Sequence, residues 1–282
     1  MTHRRGARAV LVLVLALLAS PAWAQAKREP PKALSCDRAQ FRVAVDVGHT
    51  AEHPGAISAR GVPEYEFNLR LAKEIWQALS DAGFEKTTLL VTEGHAKKGL
   101  VKRVADANSA AADLFLSIHH DSVPDQFLEV WEYEGKQSHY SDRFNGHSIF
   151  ISNDSSERAA SLQFGRLLGG QLKARGLQYT PHYTEAFMGR RQRQLVDADA
   201  GVYRFDHLVV LRTTHMPAVL LEAGSIINRD EELLMASPEH RALITAAVTD
   251  AVEAFCAARS RQRIARAART PHARLKSAAA RR

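Results

Sequence analysis

The sequence lacks the features of a collagen-like, a disordered or a polytopic membrane protein. Only 16 glycines and 10 prolines occur among 282 residues, and there is no internal repeat. Hydrophobic residues make up 45% and charged residues 24% of the chain, which is the composition of a folded globular protein. The apolar run at residues 9–18 is too short to span a bilayer as a permanent helix. The chain is therefore expected to fold around an ordinary hydrophobic core.

Cysteine is also scarce, since Cys36 and Cys256 are the only two in the chain. An even pair in an oxidising compartment is compatible with one disulfide, and two free buried thiols fit the sequence equally well. A bridge would join the segment before the first predicted strand to the last predicted helix. It would therefore tie together the two ends of one domain.

The start of the chain lacks acidic residues. Three arginines precede the apolar run, and Ala22 and Ala24 are the small residues that signal peptidase prefers before its cleavage site. Residues 1–24 are therefore interpreted as a secretory signal peptide. The mature protein is expected to be exported, to the periplasm or another part of the cell envelope, with residues 25–40 as a lead-in to the folded domain.

The other end, residues 259–282, contains nine basic residues and no acidic one. The net charge of the chain is +7, of which this tail contributes +9 and the signal peptide +3, so residues 25–258 carry −5. The tail is predicted to be disordered. Either it attracts anionic envelope polymers or lipid headgroups through Coulomb forces, or it is solvated without a partner. Nucleic acid is not expected as a partner, because export separates the protein from it.

Strands and helices alternate through residues 41–258, which predicts a single α/β domain with a mainly parallel twisted sheet flanked by helices. A first helix is predicted to begin at Glu64. The predicted strands are residues 41–47, 87–92, 114–118, 147–152 and 217–221, and the later helices are residues 99–112, 161–175 and 238–257. Two polar and aromatic stretches, residues 124–146 and 179–206, show no clear period and are interpreted as surface excursions.

Three predicted strands end in residues that can bind a metal or move a proton, namely His49, His119 and Glu222. The carboxyl ends of parallel strands lie at one edge of an open sheet, where ligands bind. With Glu64, the two histidines provide the three ligands of an open hydrolytic zinc site, which holds one Zn²⁺ and leaves its fourth position for water. Glu222 is the candidate for a second carboxylate, which carries a proton to the departing nitrogen.

Four motifs occur in an order that resembles the zinc-dependent N-acetylmuramoyl-L-alanine amidases of the Amidase_3 family. They are residues 45–49 (VDVGH), 61–69 (GVPEYEFNL), 112–119 (ADLFLSIH) and 217–224 (PAVLLEAG). The resemblance extends over about residues 41–256. An ordered series of this kind is far more specific than any one motif.

The resemblance implies a definite reaction and substrate. The family hydrolyses the amide between N-acetylmuramic acid and the L-alanine that begins the peptide stem of peptidoglycan. By position, His49, Glu64 and His119 correspond to its zinc ligands and Glu222 to its catalytic glutamate. Peptidoglycan is then the substrate, in cell-wall remodelling or daughter-cell separation, and a protein activator is a further candidate partner.

Two other functions fit the same residues at this point. Another zinc hydrolase on the same scaffold would cut within the peptide stem, and a non-catalytic peptidoglycan-binding regulator would bind without cleaving. Residues 124–146 read as an insertion, so they are a candidate autoinhibitory segment. The basic run at residues 190–193 could attract the carboxylates of peptide stems, or it could be a solvated charge run.

Overall fold

The computed structural model describes residues 36–279. The signal peptide predicted for residues 1–24 lies outside the described residues, as do residues 25–35 of the predicted lead-in. Within the described part of the chain, no helix has both the length and the apolar character needed to cross a bilayer.

The described chain contains nine strands and six α-helices. The strands are β1 (Val43–Val47), β2 (Thr88–Leu90), β3 (Leu114–Asp121), β4 (Glu129–Tyr133), β5 (Lys136–Tyr140), β6 (Ser148–Ile151), β7 (Gln194–Asp197), β8 (Val202–Arg204) and β9 (Ala218–Ser225). The helices are α1 (Glu64–Asp81), α2 (Ala96–Ser109), α3 (Arg158–Ala174), α4 (Val209–Arg212), α5 (Arg229–Ala236) and α6 (Pro238–Ala279).

Seven of the strands form one sheet in the order β2-β1-β3-β9-β6-β8-β7. The pairs β1–β2, β1–β3, β3–β9 and β6–β8 are parallel, whereas β6–β9 and β7–β8 are antiparallel. The prediction of an α/β domain with a mainly parallel sheet flanked by helices is therefore confirmed.

The central strands are apolar on both sides because helices cover both faces of the sheet. Every residue of β1 is buried. Val43, Val45 and Val47 belong to one layer of the core, which contains the buried faces of α1, α3 and α6. Ala44 belongs to the opposite layer, together with buried residues of α2 and α4. The sheet is thus held rigidly between two apolar layers.

Helix α1 begins at Glu64, directly after Pro63, as the sequence predicts. Its residues Phe67, Leu71 and Ile75 recur on one face and are buried against the sheet. Glu64 lies in the first turn, where the partial positive charge of the helix N-terminus favours a carboxylate. Packing of this helix therefore fixes where the Glu64 side chain lies.

Both stretches interpreted as surface excursions contain regular structure. The interpretation is wrong for residues 179–206, whereas the hairpin within residues 124–146 lies largely at the surface. Residues 124–146 contain the antiparallel hairpin β4–β5, which forms a separate two-stranded sheet. Residues 179–206 contribute β7 and β8 to the main sheet and bury Tyr183 and Tyr203. These strands have only three to five residues each, which is too short for a clear period in the sequence.

The last helix is longer than predicted. Helix α6 continues from Pro238 to Ala279, so the prediction of a disordered tail is wrong for residues 259–279. Alanine and arginine, which are abundant there, both have high helix propensity. Ion pairs also connect its first basic turns to the domain: Arg259 pairs with Glu157 at 3.4 Å and Arg263 with Asp113 at 2.6 Å.

Cys36 and Cys256 form a disulfide, with their Cα atoms 5.1 Å apart. Of the two possibilities that the sequence leaves open, the structure therefore has the bridge. Cys256 is buried in α6, and Cys36 packs against the same apolar layer. The bridge joins the segment before β1 to the closing helix.

Candidate metal and catalytic site

His49, Glu64 and His119 lie together at the carboxyl edge of the sheet. One possible ligand atom from each residue lies within 4.8 Å of the other two. Glu64 is 5% exposed, and its two carboxylate oxygens each lie 3.0 Å from an imidazole nitrogen, Oε2 from Nε2 of His49 and Oε1 from Nδ1 of His119. Burial disfavours ionisation of Glu64, but the hydrogen bonds with His119 and His49 outweigh it and hold the pKa well below its usual value.

Two glycines leave the space that the three side chains occupy. A Cβ on Gly48 would lie 2.5 Å from the ring of His119. A Cβ on Gly55 would lie 2.7 Å from the ring of His49 and would collide with the Glu64 carboxylate. Gly55 also has a φ of 82°, in the left-handed region that favours glycine. The backbone here therefore forms a cradle that only glycine permits.

Asn68, one turn after Glu64 on α1, orients the Glu64 carboxylate. Its amide nitrogen donates to Glu64 Oε1 at 3.0 Å and to the carbonyl of Gly48 at 3.2 Å. Its amide oxygen lies 2.8 Å from Nδ1 of His120. Burial lowers the pKa of His120 to about 3, so this ring is neutral and can donate to Asn68. His120 thus lies behind the three-residue group, and its ring supports Asn68.

Arg103 holds the loop that carries His49. This buried guanidinium donates to the carbonyl oxygens of Val47 and His49, both at 2.9 Å. It also pairs with Asp46 at 3.3 Å, and Asp46 accepts a further hydrogen bond from Ser117 at 2.7 Å. His49 has a φ of 65°, which is unusual for a residue with a side chain. The clamp compensates for that backbone strain and fixes the direction of the imidazole.

Glu222 lies opposite His119 across the β3–β9 pair. Both residues lie within strands rather than after them, because β3 continues to Asp121 and β9 to Ser225. Glu222 Oε2 is buried and has no hydrogen-bond partner among the described residues. Burial raises the pKa of Glu222 well above its usual value, and the neighbouring charges of Asp121 and Glu64 raise it further. Its carboxyl group is therefore suited to hold a proton.

The structure adds Asp121, Tyr183 and Arg191 to this site, although sequence reasoning selected none of them as site residues. Tyr183 Oη lies 2.8 Å from both carboxylate oxygens of the buried Asp121. Arg191 Nη2 lies 3.5 Å from one of them. Burial raises the pKa of Asp121 to about 6, although Arg191 and Tyr183 oppose that shift. The one sequence feature that pointed to any of these three residues was the basic run at residues 190–193, which contains Arg191.

A cavity of about 230 Å³ connects these groups. Its lining includes His49, His119, Glu222, Tyr183, Arg191 and Arg193, with Phe150 and Phe205 among its apolar members. A larger cavity of about 390 Å³ beside Gly146 and Glu231 contains none of the His–Glu–His group. The convergence of titratable side chains, rather than size, therefore identifies the candidate site.

The hairpin β4–β5 does not contribute to the lining of this cavity. It packs instead on the loop that precedes Glu64, where Trp131 Nε1 and Ser138 Oγ both donate to the carbonyl of Ala59, at 2.9 and 2.7 Å. The hairpin thus supports that loop. Autoinhibition by residues 124–146 stays a prediction.

Comparison with protein families matches residues 43–254 to the Amidase_3 family, described as N-acetylmuramoyl-L-alanine amidase. Among curated proteins, the chain is 28% identical over 191 residues to the endolysin of Bacillus phage SPP1, covering 68% of this chain and 57% of that protein. It is 25% identical over 237 residues to the probable N-acetylmuramoyl-L-alanine amidase AmiB of Haemophilus influenzae, covering 77% of this chain and 52% of that protein. The chain thus spans little more than half the length of these two relatives.

Solved structures share the fold. The N-acetylmuramyl-L-alanine amidase Ami1 from Mycobacterium smegmatis matches with a TM-score of 0.59 at 19% identity, covering 80% of this chain and 100% of that chain. The catalytic domain of CwlV from Bacillus (Paenibacillus) polymyxa var. colistinus matches with a TM-score of 0.55 at 24% identity, covering 76% and 97%. Since the family match extends over most of the folded domain, the chain belongs to the Amidase_3 family of N-acetylmuramoyl-L-alanine amidases.

Proposed function

We propose that this chain is an exported zinc-dependent amidase that hydrolyses the amide between N-acetylmuramic acid and L-alanine in peptidoglycan. The observation that carries the proposal is the convergence of His49, Glu64 and His119 within 4.8 Å, beside the half-buried Glu222, which lines the same cavity as the two histidines. Membership of the Amidase_3 family supports the reaction and the substrate. The proposed setting is the cell envelope, in cell-wall remodelling or daughter-cell separation.

The residues present fit a zinc ion. Two imidazole nitrogens and one carboxylate oxygen are a common ligand set of catalytic zinc sites, which leave one position open. The glycine cradle formed by Gly48 and Gly55 keeps the space around the three ligands free of other side chains. Asn68 orients the carboxylate, as partners behind a metal ligand usually do. When bound, zinc supplies a Lewis acid for the substrate carbonyl and makes hydroxide available near neutral pH.

Glu222 is proposed to carry the proton. Its carboxylate accepts a proton from the attacking water and transfers it to the departing nitrogen, because an amine anion is a very poor leaving group. Burial and the neighbouring charges of Asp121 and Glu64 raise the pKa of Glu222, which favours the protonated form that donates to the departing nitrogen. Its place in β9, opposite His119, keeps it beside the metal ligands without joining them.

Two variants separate metal binding from proton transfer. Glu64→Gln should lose both the metal and the release of stem peptide from purified sacculi. Glu222→Gln should lose the release while one zinc per chain stays bound. Glu132→Gln, on the exposed face of the β4–β5 hairpin, is the matched control and should behave as the wild type. Full activity of Glu222→Gln would refute the role of this residue.

The products distinguish the proposed reaction from its rivals. Mass spectrometry should show stem peptides with a free L-alanine amine and glycan strands that are intact. Fragments cut within the stem would indicate a peptidase instead. Binding to sacculi without any product would indicate a regulator.

The basic residues 259–282 are proposed to attract anionic envelope polymers or lipid headgroups. Salt should weaken this attraction, because it screens the charges.

A further inference from the structure

The segment after α3 brings two arginines into the candidate catalytic cavity. It forms 3₁₀ turns at His182–Thr184 and Ala186–Arg191, with a kink at Gly189, whose φ is 53°. The chain then returns toward the sheet as β7. Arg191 and Arg193 consequently line the same cavity as His49, His119 and Glu222, whereas Arg190 is exposed.

The Arg191 guanidinium has N–H donors that make no hydrogen bond to the described residues. Among the residues that the structure describes, Asp121 is the only carboxylate that pairs with it, at 3.5 Å, which is long for a charge-assisted hydrogen bond. A guanidinium has five N–H donors in a planar fork, so one long contact leaves most of them available. The side chain is 39% exposed and lines the cavity. Arg191 can therefore donate hydrogen bonds to a further anionic partner.

Arg193 is held in a fixed orientation beside it. Its guanidinium lies 3.8 Å from the ring centroid of Phe205, and its Nη1 donates to the carbonyls of Arg190 and Gln192, both at 2.8 Å. Its Nε is buried and lacks a partner in the described part of the chain. Stacking on Phe205 and the two carbonyl contacts hold the guanidinium in one orientation, so little conformational freedom is lost when it binds an anion.

The substrate of the proposed reaction carries such an anion close to the bond that is cut. In a peptide stem, the residue after L-alanine carries either a free α-carboxylate or, in amidated walls, a carboxamide. An extended chain rises about 3.3–3.6 Å per residue, so this group lies within about two residue lengths of the scissile amide. That reach agrees with arginines that line the same cavity as the proposed metal ligands. A carboxylate also matches the guanidinium fork, which can bind both of its oxygens at once.

We propose that Arg191 and Arg193 bind the free α-carboxylate of the stem residue that follows L-alanine, and so select stems that are not amidated there. This inference rests on the proposed amidase function and adds a substrate preference to it. The two arginines are then specificity residues. They act on the peptide part of the substrate, on the side of the cavity that the segment after α3 forms.

The test compares two soluble muropeptides that differ only in that group, one with the carboxylate and one with the carboxamide. For the zinc-loaded wild type, kcat/KM should be higher for the carboxylate substrate. Arg191→Gln should lower kcat/KM for that substrate about 10- to 100-fold, mainly through KM, as expected for a lost hydrogen bond to a charged group. Its kcat/KM for the carboxamide should change little. Arg191→Lys should recover part of the preference, because it keeps the charge and loses the fork.

Arg190→Gln is the matched control, because this side chain is exposed outside the cavity, and it should keep the wild-type preference. The ratio of the two kcat/KM values is independent of the fraction of folded enzyme, so a partly unfolded variant still gives an answer. Equal losses on both substrates in Arg191→Gln and in Arg193→Gln would overturn the proposal and leave these residues with a structural role. Release of no stem peptide from either substrate by the wild type would instead contradict the amidase function itself.

Discussion

His119 and Glu222 lie directly opposite each other on the parallel strands β3 and β9. Side chains at paired positions of neighbouring strands point to the same face of a sheet. The spacing between a proposed metal ligand and the proposed proton carrier is therefore set by backbone hydrogen bonds between two inner strands of the sheet. Loop movements can change access to this pair, but they do not change its spacing.

Gly48→Ala should damage metal binding without unfolding the domain. The added Cβ would lie 2.5 Å from the His119 ring, which must then move away from Glu64. We expect zinc affinity to fall about 10- to 100-fold, the size of effect seen when metal ligands lose their support. Competition with a chelator of known affinity measures it. Gly170→Ala, on the exposed side of α3 with open space around it, is the control and should keep wild-type affinity.

Asn68→Ala should also weaken metal binding, because it removes a side chain that positions Glu64. The variant loses the hydrogen bonds to Glu64 and to the Gly48 carbonyl, and it leaves the His120 ring without its partner. Zinc affinity should again fall about 10- to 100-fold. The free energy of unfolding should drop by about 1–3 kcal/mol, because buried polar groups are left unpaired. If chelator competition and urea unfolding both match the wild type, Asn68 has no positioning role. Gln77→Ala, on the exposed face of α1, provides the comparison.

His147 should make the protein less stable in acid. Burial lowers the pKa of its imidazole to about 4, from an ordinary value near 6.5. Between these two values the unfolded chain binds the proton and the folded protein does not, so stability is lost as the pH falls from 6.5 toward 4. The loss should be about 1.4 kcal/mol for each pH unit.

The measurement is the free energy of unfolding by urea at several pH values, for the wild type and for His147→Phe. Both imidazole nitrogens of His147 lack hydrogen-bond partners in the described structure, so an apolar ring of similar size is a reasonable replacement. The variant should gain stability relative to the wild type as the pH falls through this range. His139→Gln, on the exposed hairpin, should not alter the wild-type curve. Parallel curves for the wild type and His147→Phe would contradict the prediction.

Removal of the disulfide should destabilise the domain. The bridge closes a loop with a sequence separation of 220 residues, and it restricts the unfolded chain accordingly. The double variant Cys36→Ser, Cys256→Ser should lose about 2–5 kcal/mol of unfolding free energy. Thiol titration of the denatured wild type without reductant should detect no free cysteine, and two reactive thiols there would exclude the bridge. Because the bridge is remote from the cavity lining, zinc stoichiometry should stay at one per chain in the folded double variant.

The sequence predicted those parts of the fold that have long, regular patterns. Helix α1 shows apolar residues on one face and begins after a proline, and β1 is a valine-rich run that ends at Gly48, so both were recognisable locally. The hairpin β4–β5 and the strands β7 and β8 were not, because they are short and their pairing depends on distant partners. The helical extension of α6 was also missed, since its basic composition resembles that of a solvated tail.

The sequence by itself determined which chemical groups are available and where along the chain they occur: His49, His119 and Glu222 follow predicted strands of a parallel sheet, and Glu64 begins the first predicted helix. Only the tertiary structure decided that Tyr183 and Arg191 lie against Asp121, because these contacts join positions 62 and 70 residues apart. Local patterns report which face of a strand or helix is apolar. They do not report which distant side chains meet, since that depends on how the whole chain packs around the sheet.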